Sequence, residues 1–202
     1  MGTIAGIAGI EHGLGEILQG NVTSNELVFT SWPNSEMFAD MAGEPAMSLI
    51  PNMLVSGFLS VFLSLVFIYW AIKQVHHRQY GIGFLVLSFL LLLVGGGFGP
   101  PLLGTILGVV TLCTRHYQKN VEGFKENLFL QQFGYSWKIL FFITLVLWLF
   151  LFPVFPILSL LFHIHNGNIV AIVTPSAFLF LALSYISAGV WHKTYSFKSG
   201  SK

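Results

Sequence analysis

The stretch Met53–Lys73, MLVSGFLSVFLSLVFIYWAIK, decides the fold. No charged side chain interrupts it before Lys73. A helix rises 1.5 Å per residue, so about twenty apolar residues cross the ~30 Å hydrocarbon core of a bilayer. Ser48 and Pro51 precede it as a plausible cap and first-turn proline. Tyr69 and Trp70 close it with aromatics suited to a membrane interface. The span is read as residues 53–72.

Composition supports the same reading. The chain has 202 residues, 54% hydrophobic and 8% charged, against about 25% charged in a soluble domain. A net charge of +1 gives no basic field for nucleic acid, and none is expected as a partner. The single cysteine, Cys113, excludes an internal disulfide and any multi-cysteine metal site.

Downstream of the first span, an apolar stretch runs from Gly81 to Thr114 and is cut by Gly95-Gly96-Gly97-Phe98-Gly99-Pro100-Pro101. Such a run cannot continue a regular helix cheaply. It splits the stretch into residues 81–95 and 101–114, a helical hairpin that crosses twice or a re-entrant pair. Residues 139–162 form the next span, interrupted by Pro153 and Pro156, and residues 169–191 the last, with Pro175 near its start. The short linker His163–Asn168 makes these two antiparallel neighbours.

Charge placement orients the chain. All nine Lys and Arg follow position 72, and six of the eight Asp and Glu precede position 45. If 81–114 returns to its starting side, then Lys73 and Arg78, the cations of 115–138 and the tail Lys193, Lys198 and Lys202 share one face. By the positive-inside rule that face is cytoplasmic. Trp70, Trp137 and Trp191 fall at the same boundary. The expectation is an all-α, polytopic transmembrane bundle of four to five crossings in the cell membrane, over residues 51–192, with the N terminus outside and a basic cytoplasmic tail, 193–202.

Residues 1–50 read as an acidic extracytoplasmic segment. Ile4–Leu18 forms a helix with Ala5, Ala8, Gly9, His12, Glu16 and Gln19 on one face. It is short, and is expected to lie in the outer interface or insert as a half-span. No positive n-region marks a cleavable signal. Trp32-Pro33-Asn34 and Gly43-Glu44-Pro45 read as turns.

Gly9–Gly20 (GIEHGLGEILQG), Gly43–Met47 (GEPAM) with Pro51-Asn52, and Leu93–Leu102 (LVGGGFGPPL) resemble stretches of small uncharacterised prokaryotic multi-pass membrane proteins. The resemblance runs from about residue 9 to the last span. It implies a bacterial or archaeal membrane protein and no functional residues.

The best polar cluster is Glu11-His12 with Glu16. His12 and Glu16 are four residues apart and share a helix face, and ionisable groups near lipid are costly. An imidazole beside carboxylates can relay protons or hold a divalent metal. His163 and His165 lie on the same outer side and could join them. Otherwise all five are polar residues at a wet interface. His76-His77-Arg78 reads as a contact for anionic lipid headgroups. The Gly95–Pro101 break can line a transport site at mid-depth, or simply form an outer turn. Gly104 and Gly108 let helices approach closely. No Ser-His-Asp pattern, His-Glu-x-x-His or phosphate loop is present, so catalysis is not expected. The sequence leaves three readings: a membrane protein acting through lipids, a protein partner or a second copy; a small transporter using the break; or a metal- or proton-binding protein using Glu11, His12 and Glu16.

Overall fold

A computed structural model describes residues 1–73, 79–117 and 128–199. The expectations for His76, His77, Arg78, Lys119, Glu122, Lys125, Glu126 and Lys202 lie outside the described residues. The chain is mostly helical, and three of its helices are long and apolar enough to cross a membrane: Met53–Lys73, Trp137–Phe162 and Gly167–His192. It divides into two compact units, Met1–Val109 with Leu158–Gly167, and Val110–Ile157 with the chain from Asn168 onward.

The first unit is built on α1 (Gly2–Gln19) and α2 (Met53–Lys73). They run antiparallel over the whole length of α1. Gly2 faces Ala71, Gly6 faces Ser64 and Ile68, Gly9 faces Ser64, and Gly13 faces Gly57. Small residues make this possible. A Cβ on Gly13 would meet the Gly57 carbonyl at 2.8 Å, and one on Gly57 would meet the Gly13 carbonyl at 2.5 Å. Ser56, Ser60 and Ser64 are fully buried along the facing side of α2, and the Ser60 hydroxyl donates to the Gly9 carbonyl at 3.1 Å.

The N-terminal helix packs along the bundle. Met1 and Gly2 lie beside the Ala71–Lys73 end of α2, and the polar segment that follows α1 lies at the opposite end. The glycine spacing that lets the two backbones approach is visible in the sequence.

α3 (Tyr80–Leu93) returns along α2. The Trp70 indole donates to the Tyr80 carbonyl at 3.0 Å at one end, and the Ser56 hydroxyl donates to the Val94 carbonyl at 2.8 Å at the other. α4 (Gly99–Tyr117) turns back on α3, with Gly104 against Ser88 and Gly108 against Leu85 and Gly81. The broken stretch is therefore a tight helical hairpin. The break itself is Val94–Phe98, with Gly95 and Gly97 at positive φ. Pro100 and Pro101 belong to the first turn of α4, where the missing N–H costs nothing. The break sits level with the first turn of α2, beside Ser48 and Ser56, and not halfway along it.

Between α1 and α2 the polar segment forms a two-stranded antiparallel sheet, β1 (Val28–Thr30) and β2 (Pro45–Met47), around a 3-10 helix, Glu36–Met41. The all-α expectation missed this sheet because three-residue strands carry too little alternation to read.

The second unit contains α5 (Leu128–Tyr135), α6 (Trp137–Leu149) and α8 (Gly167–Ser199). α5 occupies part of what reads as a loop before residue 139. The Ser187 hydroxyl donates to the Phe133 carbonyl, Trp137 packs on Trp191, and Trp148 meets Phe178 edge-on. α6 passes through a π-helical turn, Phe150–Val154, into α7 (Phe155–Phe162). Phe152 leaves helical geometry, with φ −141° and ψ 110°, as expected for a residue before proline, here Pro153.

Candidate metal centre

The C-terminal end of α1 and the neighbouring start of α2 are capped by the segment Ser31–Glu44. Ser31 N–H donates to the Glu44 carbonyl and Trp32 N–H to the Gly43 carbonyl, which extends the β1–β2 ladder. The Gln19 amide donates to the Ser31 carbonyl at 3.0 Å and binds this segment to the end of α1. Trp32 stacks on Phe38, 5.4 Å between centroids, and its indole covers Gly15 of α1. A side chain at Gly15 would displace it.

This cap places Glu44 against His12. Both residues are 5% exposed, and His12 Nε2 lies 3.0 Å from Glu44 Oε2. The approach is close but not aligned as a hydrogen bond, since Glu44 Oε2 has no hydrogen-bond partner. The other ring nitrogen, Nδ1, lies 3.1 Å from the Ser31 hydroxyl. A second partner of this kind fixes an imidazole's orientation and leaves one nitrogen to act. Glu11 completes the group. One donor atom each from Glu11, His12 and Glu44 can be chosen so that all lie within 4.8 Å of one another.

Glu44 is held at φ +56°, a conformation that side chains other than glycine rarely adopt, and it precedes Pro45. Such strain costs on the order of 1–3 kcal/mol and persists where surrounding structure over-determines it. Here the ladder and the bond from Glu44 N–H to the Met41 carbonyl do so. The result aims a carboxylate inward. Burial pushes the Glu44 carboxyl up to about 7, and its contact with Glu11 works in the other direction.

Glu16 is fully buried on the same helix face as His12. Its carboxylate packs on Gly95, and the His12 ring packs on Gly97, so one glycine turn covers both. The two positive-φ glycines have no room for a Cβ. Among the described residues, nine buried side-chain atoms lack a hydrogen-bond partner, and six belong to Glu11, Glu16, Trp32 and Glu44. The unmet polarity of the fold is concentrated here.

Of the expected cluster Glu11, His12 and Glu16, the structure groups Glu11 and His12 with Glu44, while Glu16 packs on Gly95 outside that group of donors. It does not bring His163 and His165 to them. His165 Nδ1 lies 3.2 Å from Asp40 Oδ2, and His163 Nδ1 lies 3.9 Å from Glu36 Oε2, both on the 3-10 helix. Glu44 and Ser31 were not foreseen as members. Glu44 had a signal, an acid between Gly43 and Pro45, that reads equally as a turn. Ser31 had none.

The donor set suits a divalent transition metal. Bonds of about 2.0–2.1 Å in a tetrahedral site put neighbouring ligand atoms about 3.3 Å apart. The His12–Glu44 separation is already close to that edge. No Lys or Arg occurs before Lys73 in the chain, so none from the segments that build this cap can neutralise the carboxylates.

No family model, curated protein or solved structure matches this chain.

Proposed function

We propose that this chain is a multi-pass membrane protein that binds a divalent transition-metal ion, of the zinc or manganese kind, on the extracytoplasmic side through Glu11, His12 and Glu44. The observation that carries the reading is the convergence of these three donors in a buried setting where Glu44 Oε2 has no hydrogen-bond partner. Buried charges are tolerated when paired or when they coordinate a metal. An imidazole with two carboxylates is a donor set used by zinc and related ions. The ion needs no residue from elsewhere to neutralise the two acids.

Three helices, α2, the kinked α6–α7 and α8, are long and apolar enough to cross alone; the packing of α1, α3 and α4 along them, with the charge placement, leads us to count six crossings: α1, α2, α3, α4, α6–α7 and α8. α1 has 18 residues, or about 27 Å of helix, and runs beside most of α2. Both termini then share the Lys/Arg-rich cytoplasmic side, and the acidic segment 21–50 lies outside. A crossing helix raises the cost of Glu11, His12 and Glu16, and with it the weight of a functional explanation. The transporter reading loses its support, because the glycine break stands at the level of the first turn of α2.

Calorimetric titration of the purified, detergent-solubilised chain with zinc chloride tests the proposal. One site per chain is expected, lost in His12→Ala. Absence of a stoichiometric site in the native chain overturns it.

A further inference from the structure

We infer that Ser159, His163 and His165 form a latch that positions Glu44 in the metal site by pinning the 3-10 helix just ahead of it. The inference rests on the metal reading of Glu11, His12 and Glu44.

Glu44 is strained, and strain relaxes unless the flanking chain is held. Its flank on one side is β2, paired to β1. On the other side stands the 3-10 helix Glu36–Met41, which ends in Ala42 at φ +54°. Gly43 N–H donates to the Phe38 carbonyl and Glu44 N–H to the Met41 carbonyl, so movement of the 3-10 helix moves Glu44.

Three contacts from the far end of the sequence converge on this short helix. The Ser159 hydroxyl donates to the Glu36 carbonyl at 3.1 Å. His165 Nδ1 stands 3.2 Å from Asp40 Oδ2 and 3.2 Å from the Ser159 hydroxyl. His163 Nδ1 lies 3.9 Å from Glu36 Oε2. His163 itself adopts φ +52°, like Ala42 and Glu44 a left-handed residue that is not glycine. Ser159, His163 and His165 all belong to the same compact unit as the metal site.

The groups facing the two imidazoles are Glu36 and Asp40, both acidic, with Ser159 between them.

The test uses amide hydrogen exchange of the full chain in detergent without added metal. In His163→Gln/His165→Gln, protection of residues 36–44 should fall on the order of threefold to tenfold, the size expected for one or two exposed side-chain contacts. Asp40→Asn, which keeps shape and removes charge, should reproduce most of the loss, and zinc should dissociate faster from both variants. Unchanged protection overturns the latch. Lower protection with unchanged zinc release overturns its link to Glu44. A native chain that binds no zinc sinks the metal reading instead, while the exchange data still judge the latch.

Discussion

His12 Nε2 stands 3.0 Å from Glu44 Oε2, a helix residue and a loop residue brought together almost wholly out of water. Neither could be placed there without a reason to offset desolvation. The imidazole is steered by Ser31, and the carboxylate by a strained backbone held in a β ladder. Preorganised donors of this kind are what a metal site needs.

Removing either donor should abolish tight binding. Glu44→Gln and His12→Ala are each expected to weaken zinc affinity at least about 100-fold, while Ser31→Ala, which removes the hydroxyl that steers the His12 ring, should cost about 10–100-fold. Glu26→Gln, on the exposed surface, should bind like the native chain. Competition titration against a zinc chelator measures all four.

Glu44 also sets a pH dependence with a defined sign. Its carboxyl is raised from 4.5 to about 7 in the fold. Between these values the unfolded chain has lost the proton and the folded chain keeps it, so metal-free stability falls as pH rises and levels off above about 7. Glu44→Gln should flatten that slope. Zinc binding should follow the opposite trend and tighten as pH climbs through about 7, because the ligand must be deprotonated. Melting temperatures at pH 5 and pH 8, with and without zinc, read both effects.

Gly57→Ala should destabilise the first unit by about 1–3 kcal/mol, since the new methyl meets the Gly13 backbone and cannot be relieved by a rotamer change. Gly97→Ala adds a methyl against the His12 ring at φ +72° and should impair zinc binding as well as stability. Gly99→Ala meets nothing within 4 Å and should be neutral. Thermal denaturation in detergent separates the three.

Much of this was legible in the sequence, for identifiable reasons. Span 53–72 was readable because twenty uncharged residues have few other uses. The hairpin at Gly95–Gly97 was readable because glycine and proline punctuate helices. Two features were not. The course of α1 depends on Gly2, Gly6, Gly9 and Gly13 meeting Ala71, Ile68, Ser64 and Gly57 in turn. That is a pairing between two helices, and neither helix reveals it alone. Glu44 depended on a left-handed backbone at a residue that is not glycine, which no composition signals. The partners of His163 and His165, Glu36 and Asp40, lie more than a hundred residues earlier in the chain, so no local pattern reveals them.

The six-crossing proposal also predicts sidedness. Thiol labelling from outside intact cells should reach a cysteine placed at Asn34 in a Cys113→Ser background. Cysteines placed next to Met1 and Lys202 should stay protected until the membrane is permeabilised. Labelling at Met1 before permeabilisation would contradict the six-crossing arrangement.

X-ray absorption at the zinc edge, on the purified chain loaded with one equivalent, addresses the metal centre most directly. The account predicts a shell of nitrogen and oxygen at about 2.0–2.1 Å without sulfur, including the scattering signature of a single imidazole that disappears in His12→Ala. A shell with two or more imidazoles, or one unchanged in that variant, would contradict it.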